Sequence, residues 1–582
     1  MPSRNSTSTG AADTSNRRWL WFGLLLVPYA ALVHRLWFVS DDAFISFRYA
    51  RNLVRGLGLR FNSSENPPVE GFSNLLWTLI CALYEWVGLD LTVWVPFTSI
   101  GCGVAVLALV YRRLLQQDVA ILPALLATAG LALFPPFAAY STSGLETMAF
   151  ALLILLLVDQ LILRPPPLNG VCAGIVALLL SLTRVEGVAW ALAIIAFAAA
   201  VRLGRERCLR PLLISVSILA VGFGSFLLFR FSYFHSLVSN TAYAKGQFDW
   251  PHFVRGLNYV ASSVLTFPSA ILLVPASVVA LFVRPRGPAL ALVALFWAFP
   301  LYSAVVGGDF MGFGRFLVPA APLGAILLGL LFQQIARQRS WGQPAAVSLV
   351  LLSITLNLLP AWNQHVVPES IRSQFRYYLF GSAMQSEYDR WEAQVENSRD
   401  WSALGRALDN YAESHFPPEP TPTLCTGAIG AIGYYSRLNI YDHCGLVTPE
   451  IAHRVVAPDE PLRSAGHDKA VQPEYFLKYR PSILNARIIR QLTPGEAADK
   501  CARFLDSIRP WQDDPEPRRL YFGDFARVSE IDAAGRADYL LVQVIAPSAA
   551  AAKDSWAEQD RRIKQLAGGG HAPLLTRGAR AP

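Results

Sequence analysis

Apolar runs long enough to cross a bilayer fill the first two thirds of the chain and end near Pro360. The first covers 19–38. Others follow at 93–111, 119–137, 147–163, 168–183, 187–201, 211–229, 262–283, 289–306, 316–335 and 344–361. Together they predict about eleven transmembrane helices of about 20 residues each. The connections alternate in character. One set is short and basic: Arg17-Arg18, Arg112-Arg113, Arg164, Arg202 with Arg205, Arg207 and Arg210, Arg284 with Arg286, and Arg337 with Arg339. Arginine-rich loops of this kind stay in the cytoplasm. The other set (40–72, 141–146, 183–187, 230–260 and 307–315) mixes acids, Asn, Gly and Tyr, and is expected to face outward. Arg48, Arg51, Arg55 and Arg60 in the first of these loops depart from the pattern. Segment 71–88 is apolar but carries Asn74 and Glu85. Counting it as a span would turn Arg112-Arg113 outward, so it reads as a helix along the outer surface.

Beyond 361 the pattern becomes charged, Pro-containing and alternating, as in a soluble α/β domain. An odd number of spans from a cytoplasmic start places this domain, 362–547, outside the cell. Residues 423–425 and 438–441 read as strands around a Gly-rich turn. The N-terminal 1–18 is polar and expected to be a disordered cytoplasmic segment, and 548–582 a flexible Ala-, Gly- and Arg-rich tail. Run 19–38 is long for a signal peptide and no small-residue cleavage site follows, so it reads as an uncleaved first helix.

Composition agrees. The 582 residues are 53% hydrophobic and 16% charged, against about a quarter charged in soluble domains. The net charge of +8 is accounted for by the arginine loops and needs no nucleic acid. The cysteines form no CxxC or Cys/His metal spacing. Cys425 and Cys444 fall near the ends of neighbouring strands, where an extracytoplasmic disulfide is allowed; two unpaired thiols are the alternative. No P-loop, HExxH or GxSxG is present, and Gly427, Gly430 and Gly433 do not form GxGxxG.

Candidate chemistry gathers in the outward loops. Asp41-Asp42 follows the first span. One carboxylate can act as general base on a hydroxyl, and the pair can hold a divalent cation. The alternative is a helix cap after Ser40. Arg48 suits a phosphate. Glu70 and Asn74 can meet sugar hydroxyls or simply start a helix. Glu146, and Glu186 beside Arg184, sit at span ends, where Arg184 and Glu186 can also merely neutralise each other. Asn240, Tyr243 and Lys245 offer an amide, a phenol and an ammonium; Lys245 can neutralise a lipid phosphate or snorkel to the interface. Asp309 and Arg315 bracket a Gly-rich turn. Acids at span edges rather than in span middles favour surface chemistry over transport.

The run Asp41-Asp42-Ala43-Phe44-Ile45-Ser46-Phe47-Arg48-Tyr49-Ala50-Arg51-Asn52, with Val69-Glu70-Gly71-Phe72-Ser73-Asn74, resembles the GT-C superfamily of membrane glycosyltransferases, and within it the mycobacterial terminal β-(1→2)-arabinofuranosyltransferase group. Ser143-Gly144-Leu145-Glu146, Thr183-Arg184-Val185-Glu186-Gly187, Asn240-Thr241-Ala242-Tyr243-Ala244-Lys245, Gly308-Asp309 to Arg315-Phe316, and Gly430-Ala431-Ile432-Gly433-Tyr434-Tyr435-Ser436 fit the same group in order. The resemblance implies a plasma-membrane enzyme that takes a sugar from a polyprenyl-phosphate donor to a cell-envelope glycan or glycoprotein acceptor. It implies Asp41 or Asp42 as catalytic acid/base, and Arg48, Lys245 and Arg315 at the donor phosphate. Glu70, Asn74, Glu146, Glu186, Asn240, Tyr243 and Asp309 become candidates for sugar or acceptor contacts. A β-linkage made from a β-linked donor implies net retention, which leaves double displacement and front-face routes open. The group also holds relatives tied to pilin glycosylation and flagellar motor control. A lipid-linked sugar transporter and a non-catalytic membrane scaffold are the alternatives.

Overall fold

The structure, a computed structural model, describes residues 8–202, 206–246, 249–338, 340–377, 385–457, 460–511 and 513–575. Arg205 and Arg339 of the basic connections, residues 1–7 and residues 576–582 lie outside them.

The apolar runs form a helical bundle. Its elements are α1 (Ser8–Arg35), α2 (Asp41–Val54), α3 (Leu75–Trp86), α4 (Leu91–Gln116), α5 (Ile121–Ala132), α6 (Pro135–Tyr140), α7 (Thr147–Val158), α8 (Gly170–Ser181), α9 (Gly187–Arg202) and α10 (Glu206–Phe234). They continue with α11 (Asn240–Lys245), α12 (Trp250–Thr266), α13 (Leu273–Phe282), α14 (Arg286–Val305), α15 (Ala321–Ala336) and α16 (Gly342–Leu358). Among the described residues, five helices are long and apolar enough to cross a membrane: α4, α10, α14, α15 with the turn before it, and α16 with the turn after it. The α12–α13 pair adds a sixth if counted as one span, bent by 98°. Helices α5, α7, α8 and α9 are shorter apolar helices. Several of them stop early because polar turns, 141–146 and 182–186, interrupt the runs at one end of the bundle.

Helix α3 forms within segment 71–88 and is, like α5, α7 and α8, a shorter apolar helix. At 12 residues it is too short to span. It buries Trp77 against the bundle and leaves Leu79, Leu83, Trp86 and Val87 exposed.

The C-terminal part is an α/β domain. It begins with α17 (Glu369–Arg372) and the long α18 (Glu387–His415), whose N-terminus is closed by a capping box of Ser386 and Asp389. Then come β1 (Thr423–Thr426), α19 (Gly430–Tyr435), β2 (Asn439–Asp442), α20 (Pro449–Ala452), β3 (Ile483–Leu492), α21 (Pro494–Ile508), α22 (Glu516–Arg519), β4 (Tyr521–Arg527), β5 (Ala537–Ile545) and α23 (Ala549–Ala567). The sheet order is β2-β1-β3-β5-β4. Strand β1 runs parallel to β2 and β3, while β5 pairs antiparallel with β3 and β4. The strands expected at 423–425 and 438–441 are β1 and β2, joined through α19.

Three expectations change. Residues 8–18, expected to be disordered, are the first turns of α1. The segment after 548 is not a flexible tail up to Ala567. Ser548 caps α23, and the helix buries Trp556 and Leu566 in a core with Leu505 and Phe525. Ala-rich composition here favours helix rather than disorder. Cys425 and Cys444 are both free, buried thiols. Cys425 packs among Ile451, Phe476 and Tyr521, whereas Cys444 lies beyond β2 with Sγ 3.9 Å from the Gly427 carbonyl. The different surroundings of the two side chains preclude the bridge.

The domain is fastened to the bundle through α2. Arg48 donates to the carbonyls of Phe61 at 2.8 Å, Gly433 at 2.5 Å and Leu438 at 2.7 Å. Arg51 donates to the Tyr434 carbonyl at 2.7 Å and covers the Tyr434 ring. Gly430 sits so close to α2 that a Cβ there would lie 1.9 Å from the Asp41 carbonyl oxygen, a position only glycine can fill.

Candidate active site

Two chambers meet at the end of the bundle that carries the domain. The first, of 650 Å³, lies among α2, the start of α3, the two polar turns and the loop 307–316. The second, of 350 Å³, lies between the start of α2 and the domain, under α18 and the turn before α19. Asp42, Ile45, Lys245, Leu446 and Gly466 line both.

The first chamber holds alternating charges. Arg184 bridges Glu146 at 2.7 Å and Glu186 at 2.6 Å. Asn74 donates to the other Glu146 oxygen at 3.0 Å. Arg315 grips Asp309 at 2.6 Å and reaches to 4.0 Å from Asp42. Lys245 is the one cation of this chamber with no ion pair or hydrogen bond among the described residues. Its stem lies along Gly466, where a Cβ would come within 3.3 Å of it.

The paired acids differ. Both Asp41 oxygens accept backbone N–H groups, from Gly430 at 3.2 Å and Ala431 at 2.7 Å. Burial pushes the Asp41 carboxyl up to about 7, against the pull of the Ala431 N–H. The Asp42 side chain is 23% exposed and is the carboxylate common to both chambers.

Of the residues singled out in the sequence, Asp42, Asn74, Glu146, Glu186, Lys245, Asp309 and Arg315 line the first chamber, and Asp41 joins Asp42 and Lys245 in the second. Four others lie elsewhere. Arg48 is spent on three carbonyls and faces no chamber. Glu70 is buried against Arg230 at 2.8 Å. Asn240 holds the carbonyls of Gly445 and Leu446. Tyr243 lies against the His453 ring in a separate cleft. The sequence reading missed the second-chamber wall, Gln394, Asn397, Trp401 and His467. Among the described residues, no three His, Cys, Asp or Glu side chains converge as a metal site.

A bundle of apolar helices carrying an α/β domain is the fold of the GT-C type, and the chain is a multi-pass membrane protein with that fold. In sequence it is similar to the terminal β-(1→2)-arabinofuranosyltransferase of Mycobacterium tuberculosis, with 26% identity over 82% of this chain and 89% of that one. In structure it is similar to ArnT from Cupriavidus metallidurans in the apo state, with a TM-score of 0.51, 13% identity, and 91% of this chain and 98% of that one covered. ArnT bound to undecaprenyl phosphate matches with a TM-score of 0.49 and 13% identity over 92% of this chain and 98% of that one. Residues 386–555 match a family described as Domain of unknown function (DUF8728).

Proposed function

We propose that the protein transfers D-arabinofuranose from a polyprenyl-phosphate donor to the end of a cell-envelope glycan on the outer face of the plasma membrane. The donor sugar and phosphate occupy the first chamber and the acceptor enters the second. The observation that carries this is the junction, where a part-exposed carboxylate, Asp42, and an ammonium with no ion pair among the described residues, Lys245, line both chambers. The similarity to an arabinofuranosyltransferase supports the choice of sugar.

Transfer joins an acceptor oxygen to the anomeric carbon and breaks the bond from that carbon to the phosphate oxygen. The acceptor loses a proton and the lipid phosphate leaves with the electron pair. Lys245 stands where that charge develops, and fixed charge at the leaving group lowers the barrier. Asp42 stands where the hydroxyl proton must go. In a double displacement Asp42 instead attacks the anomeric carbon first, and a second base takes the proton. Glu146, Glu186 and Asp309, each held by an arginine, are fixed acceptors for sugar hydroxyls.

The test is transfer of radiolabelled arabinofuranose from polyprenyl phosphate to an arabino-oligosaccharide by the full chain in proteoliposomes. Asp42→Asn is expected to lower transfer by about 10²–10⁴-fold, the usual worth of a general base. Full activity in Asp42→Asn rules out the assigned role. A larger loss in Asp41→Asn than in Asp42→Asn reverses the assignment within the pair. No consumption of any lipid-linked sugar refutes the reading as a whole.

A further inference from the structure

The second chamber has a wall that the chemistry above does not use. Helix α18 presents Arg390, Gln394, Asn397 and Trp401 to it. These are spaced i, i+4, i+7 and i+11, one continuous face of a helix. Arg390 is engaged with the Phe310 carbonyl and lies 3.7 Å from Glu387. The next two positions are neutral amides. The Gln394 Oε1 is buried with no hydrogen-bond partner among the described residues, although a buried polar atom ordinarily has one. Trp401 closes the row, partly buried and packed against both the bundle core and the domain core.

We propose that this face is the acceptor subsite, and that it reads the neutral, hydroxyl-bearing end of a glycan. The inference rests on the two-chamber reading above and names the element that recognises the acceptor. An amide both donates and accepts, so two of them one turn apart can bracket adjacent sugar hydroxyls. The indole offers a flat apolar face to the sugar's C–H side. The two acids of the chamber, Asp41 and Asp42, are matched by Lys245 and Arg390, so it carries no net charge to draw in an anionic ligand. The 350 Å³ volume is at the small end of ligand pockets and takes the end of a glycan rather than a length of polymer.

The experiment is direct binding of a neutral arabinofuranosyl oligosaccharide to the full chain in nanodiscs, followed by calorimetry, beside the transfer assay. Gln394→Ala and Asn397→Ala are each expected to weaken oligosaccharide binding by about 3–10-fold, the worth of one or two hydrogen bonds. The acceptor KM should rise by more than the donor KM. Because Trp401 also packs the cores, Trp401→Phe replaces Trp401→Ala and should weaken binding while the melting temperature stays near that of the parent. An oligosaccharide of the same length bearing carboxylates should bind more weakly than the neutral one. Unchanged oligosaccharide binding in both amide variants overturns the proposal, as does a rise confined to the donor KM. Equal binding of the acidic probe overturns the neutral-ligand assignment. A parent chain that binds the oligosaccharide through these amides yet transfers no sugar leaves the subsite standing and refutes the transferase reading instead.

Discussion

Lys245 is set apart from the charges around it by having no ion pair among the described residues, and Asp42 by only a long contact with Arg315, whereas Arg184 and Arg315 already hold other carboxylates closely. Lys245→Ala is therefore expected to lower kcat with a smaller change in acceptor KM, because the charge it meets is largest as the phosphate leaves. Lys245→Arg should restore part of the rate, and steady-state kinetics with both substrates varied will show it. Asp41 makes a different prediction. Its folded pKa is raised to about 7 from an unfolded value near 4, so the folded state holds a proton that the unfolded chain has lost. The contribution of Asp41 to stability is then full below about pH 4 and declines as pH rises through about 7. Asp41→Asn should flatten the melting-temperature profile in that window. The pair was visible in the sequence as two adjacent acids, but their division was not. It depends on the backbone N–H groups of Gly430 and Ala431, with Ala431 390 positions away. The same distance hid the true partners of Arg48, which looked like a phosphate ligand because a carbonyl-bound and a phosphate-bound arginine leave the same mark in a sequence.

At the scale of elements, helix α2 joins the two parts of the chain. Arg48→Met orphans the carbonyls of Gly433 and Leu438, while that of Phe61 keeps its bond from Asn52, at about 1–3 kcal/mol for each buried group left unpaired. Chemical denaturation in detergent should show the loss, and limited proteolysis should show the domain loosened from the bundle. Trp556 tests α23 separately. Trp556→Ala removes a side chain that is 7% exposed, and a buried Trp of this kind is worth about 3–5 kcal/mol. The hydrophobic pattern announced the apolar helices in order, together with α3, β1 and β2. It misjudged α23, whose alanines looked like low complexity because its burying residues are few. Helix α18 was read only as part of a soluble domain. Its face of Gln394, Asn397 and Trp401 does follow a helical period, but nothing local says that Asp42 lies opposite.

Across the whole molecule, the basic loops predict that the domain and both chambers lie on the non-cytoplasmic side. An alkaline phosphatase fusion at the C-terminus should be active in intact cells; an inactive fusion with a normally expressed protein would contradict the topology. The chambers themselves draw one wall from each end of the chain. Asp41 and Asp42 are among the first residues made after the opening span, while Gly427, Cys444 and His467 belong to the last third. During synthesis the membrane helices can therefore be inserted, and meet lipid, long before a reaction chamber exists. A nascent or truncated chain ending before the domain lacks the second chamber altogether. On the proposed function, such a chain has nowhere to receive an acceptor, so a donor bound to it would be spared until the C-terminal domain has folded against the bundle.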